Sequence, residues 1–147
     1  MALHVVIMAA GKGTRMKSKS PKVLHRVGGR SLLQHVLDAA AGLGAARTIV
    51  ITGHGADAVE AAAGTATCVR QMPQLGTGHA IQQVVPLLPD DDSTVLILNG
   101  DVPLIRASTA RALVAACGGR ELALLTIALD DPTGYGRIVR LADGSVR

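Results

Sequence analysis

The chain has almost no aromatic side chains: one Tyr, no Phe and no Trp in 147 residues. An RNA-binding surface that stacks bases on aromatic rings is therefore excluded. Cysteine is nearly as scarce. Cys68 and Cys117 show no metal-ligand spacing and cannot form a disulfide framework, which points to a reducing cytoplasm. No apolar run approaches the roughly 18 residues needed to cross a bilayer. No charged leader precedes the apolar residues that begin at Leu3, so neither export nor a membrane partner is expected. Acidic residues are missing from one stretch in particular. Lys12 to Arg30 holds Lys12, Arg15, Lys17, Lys19, Lys22, Arg26 and Arg30 with no Asp or Glu, while the remaining chain is net acidic. Basicity this local favours a small polyanion over a nucleic acid, although a solvated basic loop would look the same.

What is present is Val, Ile, Leu and Ala in short blocks, the palette of a buried parallel sheet covered by helices. Strands are expected at Leu3–Ala9, Thr48–Thr52, Ala66–Gln71, Val95–Leu98 and Leu122–Leu129. Helices are expected from Ser31 as N-cap to about Leu43, over Ala56–Ala63, from Thr77 or Gly78 to Leu88, and from Ser108 to about Ala116. Lys12–Arg30 reads as irregular. Arg137–Leu141 should lead into a hairpin turn at Ala142–Ser145. This alternation predicts an α/β fold, a doubly wound, mostly parallel Rossmann-like sheet occupying 1–147 as one domain. A hairpin with no return strand suggests a fold cut off midway.

Ligands of open α/β sheets bind beyond the C-terminal ends of the strands. Three features are expected there. Gly11-Lys12-Gly13-Thr14-Arg15 offers backbone N–H groups that phosphate oxygens could approach, with Arg15 and Lys22 supplying charge. It is neither a Rossmann fingerprint, since Met16 stands at the third glycine, nor a Walker A loop. Asp101 ends an apolar strand where a carboxylate could hold Mg²⁺, cap the next segment or pair with a basic residue. Gln71 could read a base edge or simply tie down the Gly76 turn. His54 and His79 read as structural hydrogen-bonders, and Gly134-Tyr135-Gly136 as a permissive turn. An NAD-linked enzyme is disfavoured, because Gly53-His54 stands where the second strand should end in an acidic residue.

Ala9-Ala10-Gly11-Lys12-Gly13-Thr14-Arg15-Met16 followed by Pro21-Lys22 resembles the signature of sugar-1-phosphate nucleotidyltransferases. Gln74-Leu75-Gly76-Thr77-Gly78-His79-Ala80, Asn99-Gly100-Asp101-Val102-Pro103-Leu104 and Asp131–Ile138 narrow the likeness. Together they resemble the uridylyltransferase half of the bacterial bifunctional N-acetylglucosamine-1-phosphate uridylyltransferase/glucosamine-1-phosphate acetyltransferases. The resemblance implies that UTP and N-acetylglucosamine 1-phosphate give UDP-N-acetylglucosamine and pyrophosphate, with Mg²⁺, for cell-wall and lipopolysaccharide precursors. It implies that Met8, Ala9, Ala10 and Gly11 line the nucleotide site, and that Gln71 with Gly76 and Thr77 reads uracil. Arg15 and Lys22 would clamp the triphosphate and carry the catalysis. Asn99, Gly100 and Asp101 would face the ribose and metal, with Asp101 as the Mg²⁺ ligand, and Gly136 would touch the sugar. The family often has Tyr at the position of Asn99. Its trimerising acetyltransferase β-helix has no counterpart here, and its uridylyltransferase domain runs on past Arg147. The isolated chain is thus expected to bind UTP with little turnover. A sibling enzyme for another nucleotide or sugar, or a non-catalytic UTP-binding module, are the competing expectations.

Overall fold

The computed structural model describes residues 1–146, the side chain of Arg15 excepted. Four parallel strands form its sheet: β1 (Leu3–Met8), β4 (Arg47–Thr52), β5 (Thr67–Arg70) and β6 (Thr94–Asn99), in the order β5-β4-β1-β6. A two-stranded hairpin, β2 (Arg26–Val27) and β3 (Arg30–Ser31), lies between β1 and β4 in the chain. The helices are α1 (Leu32–Ala41), α2 (Ala56–Ala62), α3 (Thr77–Gln82) and α4 (Ala107–Cys117). The β-branched run of β1 makes the sheet centre, and Val5, Val6 and Ile7 are fully buried.

Helices pack on both faces of the sheet, as a doubly wound fold requires, while Val95 and Ile97 of the edge strand β6 stay exposed. Val5, Ile7, Val50, Leu96 and Leu98 pack with Leu33, Val36 and Ala40 of α1, Val59 of α2 and Ala110 of α4. On the other face Val6, Ile49 and Ile51 meet Ala80 of α3 and Val84. The chain winds from β1 outward through β4 to β5, then returns to place β6 on the opposite side of β1. The crevice between β1 and β6 is therefore the switch point, where ligands of this architecture sit. Register sharpens the geometry. Met8 pairs with Ile51 and with Asn99, and Thr52 pairs with Arg70, so all four strands release their chain along one edge.

Several expectations need correction. The segment Leu122–Leu129 is not a strand: among the described residues none of it joins a ladder. It stands off the free edge of β6, across an apolar groove of about 950 Å³ bounded also by α4. A strand is stable only as part of a ladder, and without that pairing its apolar alternation buries nothing. Arg137–Leu141, expected to lead into a hairpin turn, joins no ladder of the sheet among the described residues. The turn beyond it does form, with an isolated antiparallel bridge between Arg140 and Val146 and Leu141 N–H donating to Ser145 O at 2.9 Å.

The expected long helix to Leu88 stops at Gln82 and resumes as a 3-10 turn at Val85–Leu87. Pro86 explains this, since it has no N–H to give and its ring crowds the carbonyl one turn back. Ser31 caps α1 as expected, accepting from Gln34 N–H at 3.1 Å. Ser108 instead falls inside α4, whose N-cap is Arg106. Nor is Lys12–Arg30 wholly irregular. It holds 3-10 turns at Thr14–Met16 and Lys22–Leu24, then the hairpin, which turns on Gly28-Gly29 with both φ positive.

Candidate active site

A cleft of about 400 Å³ opens at the switch point. Its wall contains Met8, Ala9, Ala10 and Gly11 from the end of β1, Lys22 from the basic loop, Gln71, Gly76 and Thr77 after β5, and Asn99 and Asp101 after β6. Each was expected at a nucleotide from the sequence. Gly100 is absent from the wall and shapes it from behind. Its N–H donates to Met8 O at 2.9 Å, and a Cβ on Gly100 would come within 2.9 Å of that same oxygen. Gly136 is not in the wall. Arg15 belongs to the turn Thr14–Met16, and its side chain lies outside the described residues.

The loop after β1 leaves backbone donors unused by the protein. Among the described residues, the N–H groups of Gly11, Lys12 and Gly13 donate to no protein acceptor. Gly13 has φ 59°, and a Cβ there would lie 2.7 Å from Lys22 Cβ. That glycine lets the loop fold back on Lys22 and deliver its ammonium to the cleft. Lys22 Nζ donates to Asp101 Oδ2 at 2.7 Å, across a separation of 79 residues. Both side chains are partly exposed, at 41% and 33%, so the pair is a charged latch at the rim and not a buried bridge.

The Gln71 end of the cleft is more buried. Gln71 is only 3% exposed, and its Nε2 donates to Gly76 O at 2.9 Å. Its backbone N–H donates to Thr52 O at 2.8 Å. The fully buried Thr52 hydroxyl donates to Glu60 Oε1 at 2.9 Å, and Glu60 accepts from Arg70 Nε at 2.7 Å. Hydrogen bonds from Arg70 and then Thr52 hold the Glu60 carboxyl below its ordinary value, and the same pairing raises that of Arg70. This cluster clamps α2 to β5 immediately before Gln71. Gln74, also in the wall, ties the turn to the first loop by donating from Nε2 to Ala10 O. Sequence reading placed Gln74 only in a turn and Lys12 only in the basic loop, and both line the cleft. Their signal was available, since each sits inside a motif already singled out.

A family model described as a MobA-like NTP transferase domain matches residues 5–139. The chain belongs to this family. It is 70% identical to the bifunctional protein GlmU of Methylibium petroleiphilum over 97% of its own length. That alignment covers 32% of the relative, so the chain spans about a third of the curated proteins it matches. A solved nucleotidyl transferase from Methanothermobacter superposes with TM-score 0.66 at 25% identity, covering 78% of this chain and 57% of that one. A Mycobacterium tuberculosis protein, solved as a complex with manganese, superposes with TM-score 0.66 at 23% identity. It covers 81% of this chain and 60% of its own. That likeness speaks for the fold.

The cleft wall offers one carboxylate, that of Asp101, as a donor to a divalent ion. Among the described residues no three His, Cys, Asp or Glu side chains gather into a group that could hold a metal ion. Asp101 offers Oδ1, while Oδ2 accepts from Lys22. One carboxylate suits a Mg²⁺-like ion that keeps its waters and takes further oxygens from phosphate. Among the described residues no helix is long and apolar enough to cross a membrane.

Proposed function

We propose that this NTP transferase domain binds UTP and serves the transfer of its uridylyl group to N-acetylglucosamine 1-phosphate, releasing pyrophosphate. The observation that carries the reading is the Lys22–Asp101 pair. A cation from the glycine loop and a carboxylate from the end of β6 meet over a cradle of free N–H groups at the switch point. Triphosphate chemistry calls for that combination, because its barrier is lowered by positioning and charge neutralisation.

In this reading Gly11 to Gly13 donate to phosphate oxygens, and Arg15 and Lys22 clamp the triphosphate. Lys22 leaves Asp101 for the phosphate when nucleotide enters. Gln71, Gly76 and Thr77 face the base, and Asn99 and Gly100 the ribose. A Mg²⁺ ion held by Asp101 would neutralise phosphate charge. The sugar phosphate needs no general base, since it is already ionised as a nucleophile; its oxygen attacks the α-phosphorus in line with departing pyrophosphate. Gly136, assigned to the sugar, lies away from the cleft wall. UTP binding with little turnover is therefore expected of this chain alone. The test is pyrophosphate release from UTP, N-acetylglucosamine 1-phosphate and Mg²⁺, paired with calorimetric titration by UTP, dTTP and CTP. A preference for dTTP, or no nucleotide binding at all, would overturn the uridylyl assignment.

A further inference from the structure

His79 lies outside the cleft wall, yet its ring touches the side chain best placed to read a base. Gln71 Nε2 stands 2.9 Å from Gly76 O and 3.2 Å from His79 Nδ1. A carbonyl only accepts, so the Gln71 atom facing Gly76 is the NH₂. Oε1 of Gln71 then has no donor among the described residues. Nor is it a sealed, buried orphan, and the residue that carries it lines the cleft. The two amide hydrogens go to Gly76 O and His79 Nδ1. Nδ1 must therefore be the bare nitrogen, and the neutral ring carries its proton on Nε2.

The far side of the ring completes the logic. Nε2 of His79 lies 3.2 Å from the Gln83 side-chain nitrogen, which also lies 3.2 Å from the His79 carbonyl. A ring that accepts at Nδ1 and donates at Nε2 needs the Gln83 oxygen, not its NH₂, to face it. Two donors cannot share that contact, so one of the two carboxamides must turn. Turning Gln71 would press two carbonyl oxygens together at 2.9 Å in a buried place. Turning Gln83 gives up its 3.2 Å bond to the His79 carbonyl and sets Oε1 toward that oxygen, a smaller cost than at Gln71 because the contact is longer and Gln83 is only half-buried. The relay thus resolves in one direction, from Gln83 through His79 to Gln71.

We propose that His79 is a positioning residue that sets nucleobase selectivity by holding the Gln71 amide inward and Oε1 outward. An acceptor presented at that spot rewards a base with an imino N–H, as in uracil or thymine. It opposes cytosine, whose N3 is itself an acceptor. The inference rests on reading the cleft as a pyrimidine nucleotide site.

The experiment is titration calorimetry of the full chain with UTP and with CTP, in Mg²⁺, for four proteins. Wild type should prefer UTP. His79→Phe keeps a ring but removes the acceptor, and the UTP-to-CTP affinity ratio should fall about tenfold, the worth of one hydrogen bond. His79→Asn, whose Oδ1 overlays Nδ1, should restore the ratio. His79→Gln, whose polar end overlays Nε2, should not. An unchanged ratio in His79→Phe, with wild-type preference intact, overturns the role of His79 and leaves the cleft assignment standing. Should His79→Phe fail to fold by circular dichroism, equal ratios in the Asn and Gln variants overturn it instead. A wild-type chain that binds neither nucleotide overturns the pyrimidine reading and takes this inference with it.

Discussion

Residues 3–117 and residues 118–146 have similar apolar patterning and opposite fates. Every buried hydrophobic side chain lies in the first region, the last of them being Ala110. In the second, Leu122 is 86% and Ile127 75% exposed, and among the described residues an isolated bridge is its only strand-like pairing. Composition does not explain the difference, because Leu-Ala-Leu-Leu-Thr-Ile-Ala-Leu is as apolar as β1. Opportunity does. Strand β1 lies between β4 and β6 and under helices on both faces. The later segment faces one free strand edge across a groove wide enough to leave it unpaired.

The contrast is open to attack, and stability gives the largest effect. Leu33→Ala in the core should cost about 2–5 kcal/mol, whereas Ile127→Ala should cost less than about 0.5 kcal/mol. Urea denaturation of both variants measures this, and similar midpoints would erase the distinction between the regions. Limited proteolysis should cut first within 118–146 and leave a fragment ending near Cys117 with its helical circular dichroism intact. Gly13→Ala forces a left-handed residue against Lys22, so a loss of about 1–2 kcal/mol is expected. UTP titration should weaken in the same variant. Lys22→Ala should raise the UTP Kd about tenfold and leave the unfolding midpoint nearly unchanged, since the Lys22–Asp101 pair is a surface latch.

The smallest effect concerns acid. Glu60 titrates lower when folded than when unfolded, so its contribution is complete above the ordinary glutamate value and is lost as pH falls below it. Glu60→Gln should therefore flatten the decline of Tm on acidification in that window. A decline as steep as the wild type's would show that the Arg70 pairing adds nothing to stability.

Much of the architecture was legible because its signals are local. β-branched runs marked β1, β4 and β6, and Ser31 marked the start of α1. The strand ends alone place the loop carrying Lys22, together with Gln71 and Asp101, at one edge of the sheet. Two local signals were there and under-read: Pro86, which had to end a helix, and Gly28-Gly29, which suits a two-residue hairpin turn. What sequence could not supply was relational. Whether Leu122–Leu129 finds a partner depends on the free edge of β6, and no pattern within the segment reports that. Asp101 was open between metal ligand, cap and ion pair, and only distance shows Lys22 against it. His79 carried no sign of its link to Gln71, because their tie runs through amide orientation and not through spacing.

The strand order has a kinetic consequence. Lys22 and Asp101 are 79 residues apart and meet only after the chain has gone out to β5 and come back to dock β6. Loop closure of that length is slow and late compared with forming α1 on β1. A nucleotide held by Lys22 and, through a metal ion, by Asp101 would gain nothing from a chain wound only as far as β5. Such binding would stabilise the finished sheet alone. Nucleotide binding would serve as a checkpoint on completed winding, reporting the last crossover and blind to every step before it.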